Sequence, residues 1–100
     1  MWELFENGST ISQPGCDGGT ILKDEEMIGA RITLEKDSII ANYSITCGIY
    51  GLMVHTVCAD NKEIAICKYE EMKIEIEKFL SEDYPEEEWS NWCDTFVCKF

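Results

Sequence analysis

The sequence predicts an α+β domain: an antiparallel β-meander of about five to six strands, followed by two C-terminal helices packed on one sheet face. Two observations carry that prediction. Up to residue 59, short β-branched runs alternate apolar and polar residues between glycine-containing turns. From residue 60 on, apolar residues recur at three-to-four spacing instead. The size agrees: 100 residues with 45% hydrophobic content suffice for one core, and no linker, repeat or low-complexity tract divides the chain, so residues 1–100 read as a single domain.

Taken in order, "WELFE" and "STIS" flank Asn7-Gly8, a dipeptide suited to a type I′ hairpin because both central residues need positive φ. The glycine-rich "GCDGG" follows, then a short strand in "TILKDEE". In "GARITLEK", Ala30, Ile32 and Leu34 share one face, and Arg31, Thr33 and Glu35 the other. "IIANYSITC" and "LMVHTVCA" lie on either side of a turn at 48–51. Pairing Gly48 with Gly51 buries Tyr43, Ile45, Cys47, Leu52, Val54, Thr56 and Cys58 and makes Ser44 the neighbour of His55; a one-residue slip would reverse one strand's faces. Asp60 with Glu63 makes a capping-box pattern, after which Ala65, Tyr69, Met72, Ile76, Phe79 and Leu80 form a stripe. Pro85 suits the start of a second helix whose Glu86, Glu87 and Glu88 complement its dipole, with Trp89, Trp92, Cys93, Phe96 and Phe100 as the apolar stripe.

The charge is strongly unbalanced, 8 basic against 20 acidic residues, or −12. That excludes nucleic acid and anionic membrane surfaces, which demand a positive footprint, and suits a basic protein partner. The longest largely apolar stretch, 39–59, is broken by polar residues and reads as strands rather than a membrane span. No basic-then-apolar leader opens the chain, so a cytoplasmic location and six reduced cysteines are expected, with Cys47, Cys58, Cys67 and Cys93 beside apolar neighbours or on apolar faces.

Candidate chemistry is sparse. His55 is the only histidine; Ser44, Thr46, Tyr50 and His55 on an open sheet face form one possible ligand or enzyme site, although no nucleophile elbow or oxyanion loop accompanies them. Cys47 reaches His55 only if the hairpin register slips. The closest cysteine pair, Cys93 and Cys98, lacks zinc-ligand spacing, and "GCDGGTILK" matches neither a calcium loop nor a P-loop, so no metal and no cofactor is implied. The glycines there read as a tight turn.

Three consecutive acids, Asp24, Glu25 and Glu26, suit a strand poorly. With Asp17 beside them they are the expected docking edge, and Glu87, Glu88 and Trp89 are a second candidate surface. At "GCDGGTILKDEE", "GARITLE" and "YSITCGIYGLMVHT" the chain resembles small bacterial proteins that carry no assigned activity. In size and acidity it is similar to bacterial immunity proteins, which neutralise toxins through acidic surfaces. The leading expectation is a non-enzymatic acidic interaction domain, with an inhibitor or immunity protein as the type in view. A small enzyme or ligand-binding domain around Ser44 and His55 is the competing one, and a homodimer through a sheet edge is a third.

Overall fold

The computed structural model describes residues 1–82 and 84–100. Strands β1 (Glu3–Leu4), β2 (Thr20–Met27), β3 (Ala30–Lys36), β4 (Tyr43–Ile49) and β5 (Met53–Ala59) form one antiparallel sheet in sequence order, followed by helices α1 (Lys62–Ser81) and α2 (Glu86–Lys99). The α+β class and the β-then-α order are those of the sequence, with five strands.

Strand alternation decides which side chains meet the helices. Ala30, Ile32 and Leu34 of β3 pair with Ile49, Cys47 and Ile45 of β4, and all six are buried. Helix α1 lies over β3, β4 and β5, setting Ala65, Tyr69, Met72, Ile76 and Phe79 against them. Helix α2 joins through stacked rings: Phe79 to Trp92 at 4.2 Å, Trp92 to Phe96 at 5.1 Å, and Phe96 edge-on to His55 at 6.2 Å. Each large apolar side chain so buried contributes about 1.5–3 kcal/mol, which makes this layer the main source of stability.

Three local expectations are corrected. The Asn7-Gly8 dipeptide does take positive φ, but within a short 3₁₀ turn (Phe5–Gly8) in which Glu6 also has φ 48°. The chain therefore never returns as a hairpin; residues 9–19 run across the sheet instead, and "WELFE" supplies only the two residues of β1. The cap of α1 is Asn61, whose Oδ1 accepts from the Ile64 N–H at 2.9 Å, one residue beyond the expected Asp60.

The third correction matters most. The β4–β5 turn is wider than expected: Ile49 pairs with Met53, the Leu52 N–H donates to the Ile49 carbonyl, and Gly51 takes φ 78°, a value that favours glycine. Ser44 consequently meets Cys58, and Cys47 meets His55. The slip from the expected register is odd, so it reverses β5: Val57 and Ala59 are buried, while Val54, Thr56 and Cys58 are exposed.

Candidate functional site

The sheet face away from the helices carries the molecule's buried polar groups, and the amino-terminal loop covers part of it. A bulge at Leu22 shifts the β2–β3 register, so that Ile21 pairs with Glu35 and Asp24 with Thr33, all directed to this loop side. Asp24, Glu35 and Ser44 are the buried polar side chains of the core, and each is held by hydrogen bonds.

Glu35 accounts for the glycines of "GCDGG". Its Oε1 accepts from the Gly19 N–H at 3.1 Å and its Oε2 from the Asp17 N–H at 3.3 Å. A Cβ at Gly15 would collide with this carboxylate, and one at Gly19 with the Lys36 carbonyl. The glycine loop is thus an anion cradle of the kind that binds phosphate elsewhere, and here its anion is the protein's own side chain. Asp17, centred in that loop, accepts from Ser44 Oγ at 2.9 Å and Thr46 Oγ1 at 3.2 Å, pinning the loop to β4.

Alternation divides the acidic run. Asp24, wholly buried, faces the loop side and accepts from Thr10 Oγ1 (2.8 Å), Thr33 Oγ1 (3.2 Å), Arg31 Nε (2.9 Å) and Arg31 Nη2 (2.7 Å). The hydrogen bonds to Asp24 raise the guanidinium pKa, and Arg31 stacks 3.6 Å over the Phe5 ring. Glu25 faces the helix side, where it accepts from Tyr69 Oη at 2.9 Å and Lys73 Nζ at 2.7 Å and so ties β2 to α1. Burial, and then the Glu25 charge, push the Tyr69 phenol well above its ordinary value. Glu26 stays partly exposed between Arg31 of β3 and Glu3 of β1. Three neighbouring acids thus point to two sides of a sheet, so they do not make one surface.

Between the loop and the sheet lies a cleft of about 830 Å³ whose walls include Cys16, Arg31, Thr33, Thr46, Tyr50 and Val54. Of the alternative site residues, Thr46 and Tyr50 line it and Ser44 lies beneath it through Asp17, whereas His55 belongs to the opposite face. The expected Ser44–His55 neighbourhood is therefore absent, because the wider turn displaces β5. His55 instead pairs with Cys47 among apolar residues, where its Nε2 is buried with no partner among the described residues. Burial pushes the Cys47 thiol up to about 12, the reverse of an activated thiolate.

Glu87 and Glu88 are exposed at the start of α2 and Trp89 is 38% exposed, its indole N–H donating to the Tyr84 carbonyl. All six cysteines are unpaired; Cys47 is buried and Cys93 half-buried, whereas Cys58 and Cys67 are exposed, Cys58 because of the reversed β5. Among the described residues no three His, Cys, Asp or Glu side chains converge on a metal position, and no helix is long and apolar enough to cross a membrane.

Comparison with protein-family models, curated proteins and solved structures finds no match to this chain. Of the residues lining this cleft, the sequence reading names Thr46 and Tyr50 but not Arg31, Thr33 or Cys16. The signal for Arg31 was present: a lone arginine in the alternating "GARITLEK" faces Thr33 and Glu35, away from the apolar side.

Proposed function

We propose that the protein is a non-enzymatic binding domain for a basic protein, and that the cleft beside the amino-terminal loop receives a cationic side chain of that partner. One observation carries the reading: the charge balance of the cleft. Arg31 is the only cation among the described residues that line it, and Asp24 already neutralises that charge; Glu6 and Glu35 also line it, and Asp17 stands behind Thr46. The unbalanced charge is negative, in line with −12 for the whole chain. Thr33 and Thr46 direct their hydroxyl protons to Asp24 and Asp17; Thr33 keeps both lone pairs, and Thr46, which accepts from the Thr56 hydroxyl at 3.0 Å, keeps one, to accept from an ammonium or guanidinium. Tyr50, 63% exposed at the rim, offers a ring for the aliphatic stem or for a cation–π contact. Long-range attraction between opposite charges speeds encounter, while the cleft supplies selectivity.

Peptide-display selection on the purified protein tests this. Lysine- and arginine-bearing sequences are expected to be enriched, and Gln13→Trp, which fills the cleft from an exposed lining position without changing charge, is expected to abolish their capture. Enrichment of neutral or acidic sequences, or capture indifferent to Gln13→Trp, would overturn the reading. The exposed Glu87, Glu88 and Trp89 favour a second contact on the same partner, and Trp89→Ala is expected to weaken binding without abolishing it.

A further inference from the structure

We propose that the outer edge of β5 is the strand-addition site of this domain, taking an extended, basic segment of the partner as an antiparallel sixth strand. This deepens the reading above and rests on it for the partner's basic charge, not for the occupancy of the cleft.

The pattern of backbone bonds supplies the first argument. The Tyr50 N–H donates to the Gly29 carbonyl at 2.9 Å, so Gly29 and Tyr50 form a hydrogen-bonded pair. Antiparallel ladders alternate hydrogen-bonded and non-hydrogen-bonded pairs. Arg31 with Gly48 and Thr33 with Thr46 are then bonded pairs too, and Tyr43, Ile45, Cys47 and Ile49 turn their backbone groups toward β5. Across that seam they meet Ala59, Val57, His55 and Met53, which leaves Val54, Thr56 and Cys58 with N–H and C=O groups pointing off the sheet. Lys68 Nζ, 3.4 Å from the Cys58 carbonyl, holds the last of these acceptors at the strand's end.

The contrast with the opposite edge is the second argument. The outer side of β2 is covered by β1 at Glu25 and Glu26, by a bridge from Pro14 to Thr20, and by Ser12 and Gln13 bonding Ile21. Exposed edges are ordinarily blunted by charge, proline or a bulge. The run "MVHTVCA" of β5 contains no Asp, Glu, Lys, Arg or Pro, and its seven pairs with β4 run without a register shift. Apart from Lys68, no group among the described residues hydrogen-bonds the outward backbone groups of Val54, Thr56 and Cys58.

Charge selects the occupant. A second copy would bring another −12 body to an edge with no charge of its own to offset the repulsion, whereas a cationic segment is drawn in. Geometry connects the edge to the cleft. Thr33, Thr46 and Thr56 are successive cross-strand neighbours, with the Thr46 and Thr56 hydroxyls 3.0 Å apart, and this row ends open at the edge. An added residue opposite Thr56 extends the row, and one opposite Val54 stands at the mouth of the cleft that Val54 lines. Added residues opposite Val54, Thr56 and Cys58 donate and accept the backbone bonds and place their side chains on the cleft side.

The probe is the acetylated, amidated peptide (Lys-Val)₄, with (Glu-Val)₄ as its acidic control. The lysine peptide is expected to bind and to slow hydrogen exchange at the Val54, Thr56 and Cys58 amides by at least about tenfold; the glutamate peptide is expected to do neither. N-methylation of the lysines, whose N–H groups face β5, is expected to weaken binding by about tenfold or more, while N-methylation of the valines leaves it little changed. Thr56→Pro, which removes an outward N–H at a place an edge strand tolerates, is expected to weaken binding similarly. The two peptide patterns give the answer even if that variant does not fold. No binding, equal loss from both methylation patterns, or no protection at the three amides overturns strand addition. Protection that rises with protein concentration and needs no peptide places a second copy on this edge and also overturns it. If the display selection yields basic ligands blocked by Gln13→Trp while the methylation patterns behave alike, only strand addition falls. If the methylation patterns differ but no such ligands exist, the cleft reading falls and strand addition stands.

Discussion

On the helix side of the sheet, Ile32, Leu34, Ile45 and Cys47 are shut away from solvent by apolar contact with Ala65, Tyr69, Met72 and Ile76. On the loop side, Asp24, Glu35 and Ser44 are as deeply buried, yet what encloses them is a loop held by hydrogen bonds to their oxygens. The two sides respond differently to damage. Apolar burial is non-directional and shared among many neighbours, so one deletion weakens the whole domain. A carboxylate that clamps a loop is directional, and its loss frees mainly what it clamps.

The sharpest division comes from Ile45→Ala. The side chain is wholly buried at the centre of β4, and the truncation is expected to lower global stability by about 2–5 kcal/mol, read as the urea midpoint with an unchanged slope. Loss confined to the loop amides, with the midpoint unmoved, would break the division.

Alkaline pH probes the helix side next. Burial raises the Cys47 thiol from 9.0 to about 12. Its contribution is therefore complete below pH 9, where folded and unfolded thiols are both neutral. Above pH 9 the unfolded thiol ionises first, so stability falls by about 1.4 kcal/mol per pH unit until the folded thiol also ionises. The Tyr69 phenol, raised from 10.0, adds a second loss of the same sign above pH 10. The half-buried Cys93 thiol is raised as well, so Cys47→Ala is expected to flatten the slope between pH 9 and 10 without removing it. A slope unaltered by that substitution would show that Cys47 does not bind its proton as its burial demands.

The loop side gives smaller, local effects. Asp24→Ala deprives Thr10, Thr33 and Arg31 of their shared acceptor; Arg31 is about one-third exposed and can rehydrate, so the global loss is expected to be about 1–3 kcal/mol rather than that of a fully buried broken pair. Glu35→Gln keeps the shape but leaves one donor facing a backbone N–H, and accelerated exchange at Asp17 and Gly19 is its expected signature. If either variant lowers the urea midpoint as far as Ile45→Ala does, the loop is part of the core's cooperative unit, and the contrast fails.

The helix side was the readable one. Period-two and period-3.6 patterns record apolar burial directly, so β3 and the α1 stripe were assigned correctly from Ala30, Ile32 and Leu34, and from Ala65 to Phe79. The loop side was obscure because its determinants are pairwise and distant: nothing local to Glu35 announces that Gly19, sixteen residues earlier, donates to it. The acidic run misled for a related reason. Consecutive charges read as one patch until alternation sends Asp24 and Glu25 to opposite partners. The β4–β5 register depended on one turn, where Gly48 and Gly51 suggested a pairing and only Gly51 needed its positive φ.

His55 offers the finest test, because it is a polar group on the apolar side. Its Nε2 is buried without a partner among the described residues, and its ring lies edge-on to Phe96. An unsatisfied buried nitrogen subtracts from stability, so His55→Phe, which keeps a planar ring and removes the polar atom, is expected to be neutral or to stabilise by up to about 1 kcal/mol. The urea midpoint should rise slightly, and the exchange of loop residues 9–19 should not change. A loss of more than about 1 kcal/mol would mean that the imidazole carries a hydrogen bond the apolar side cannot otherwise supply. The two sides would then differ in degree rather than in kind.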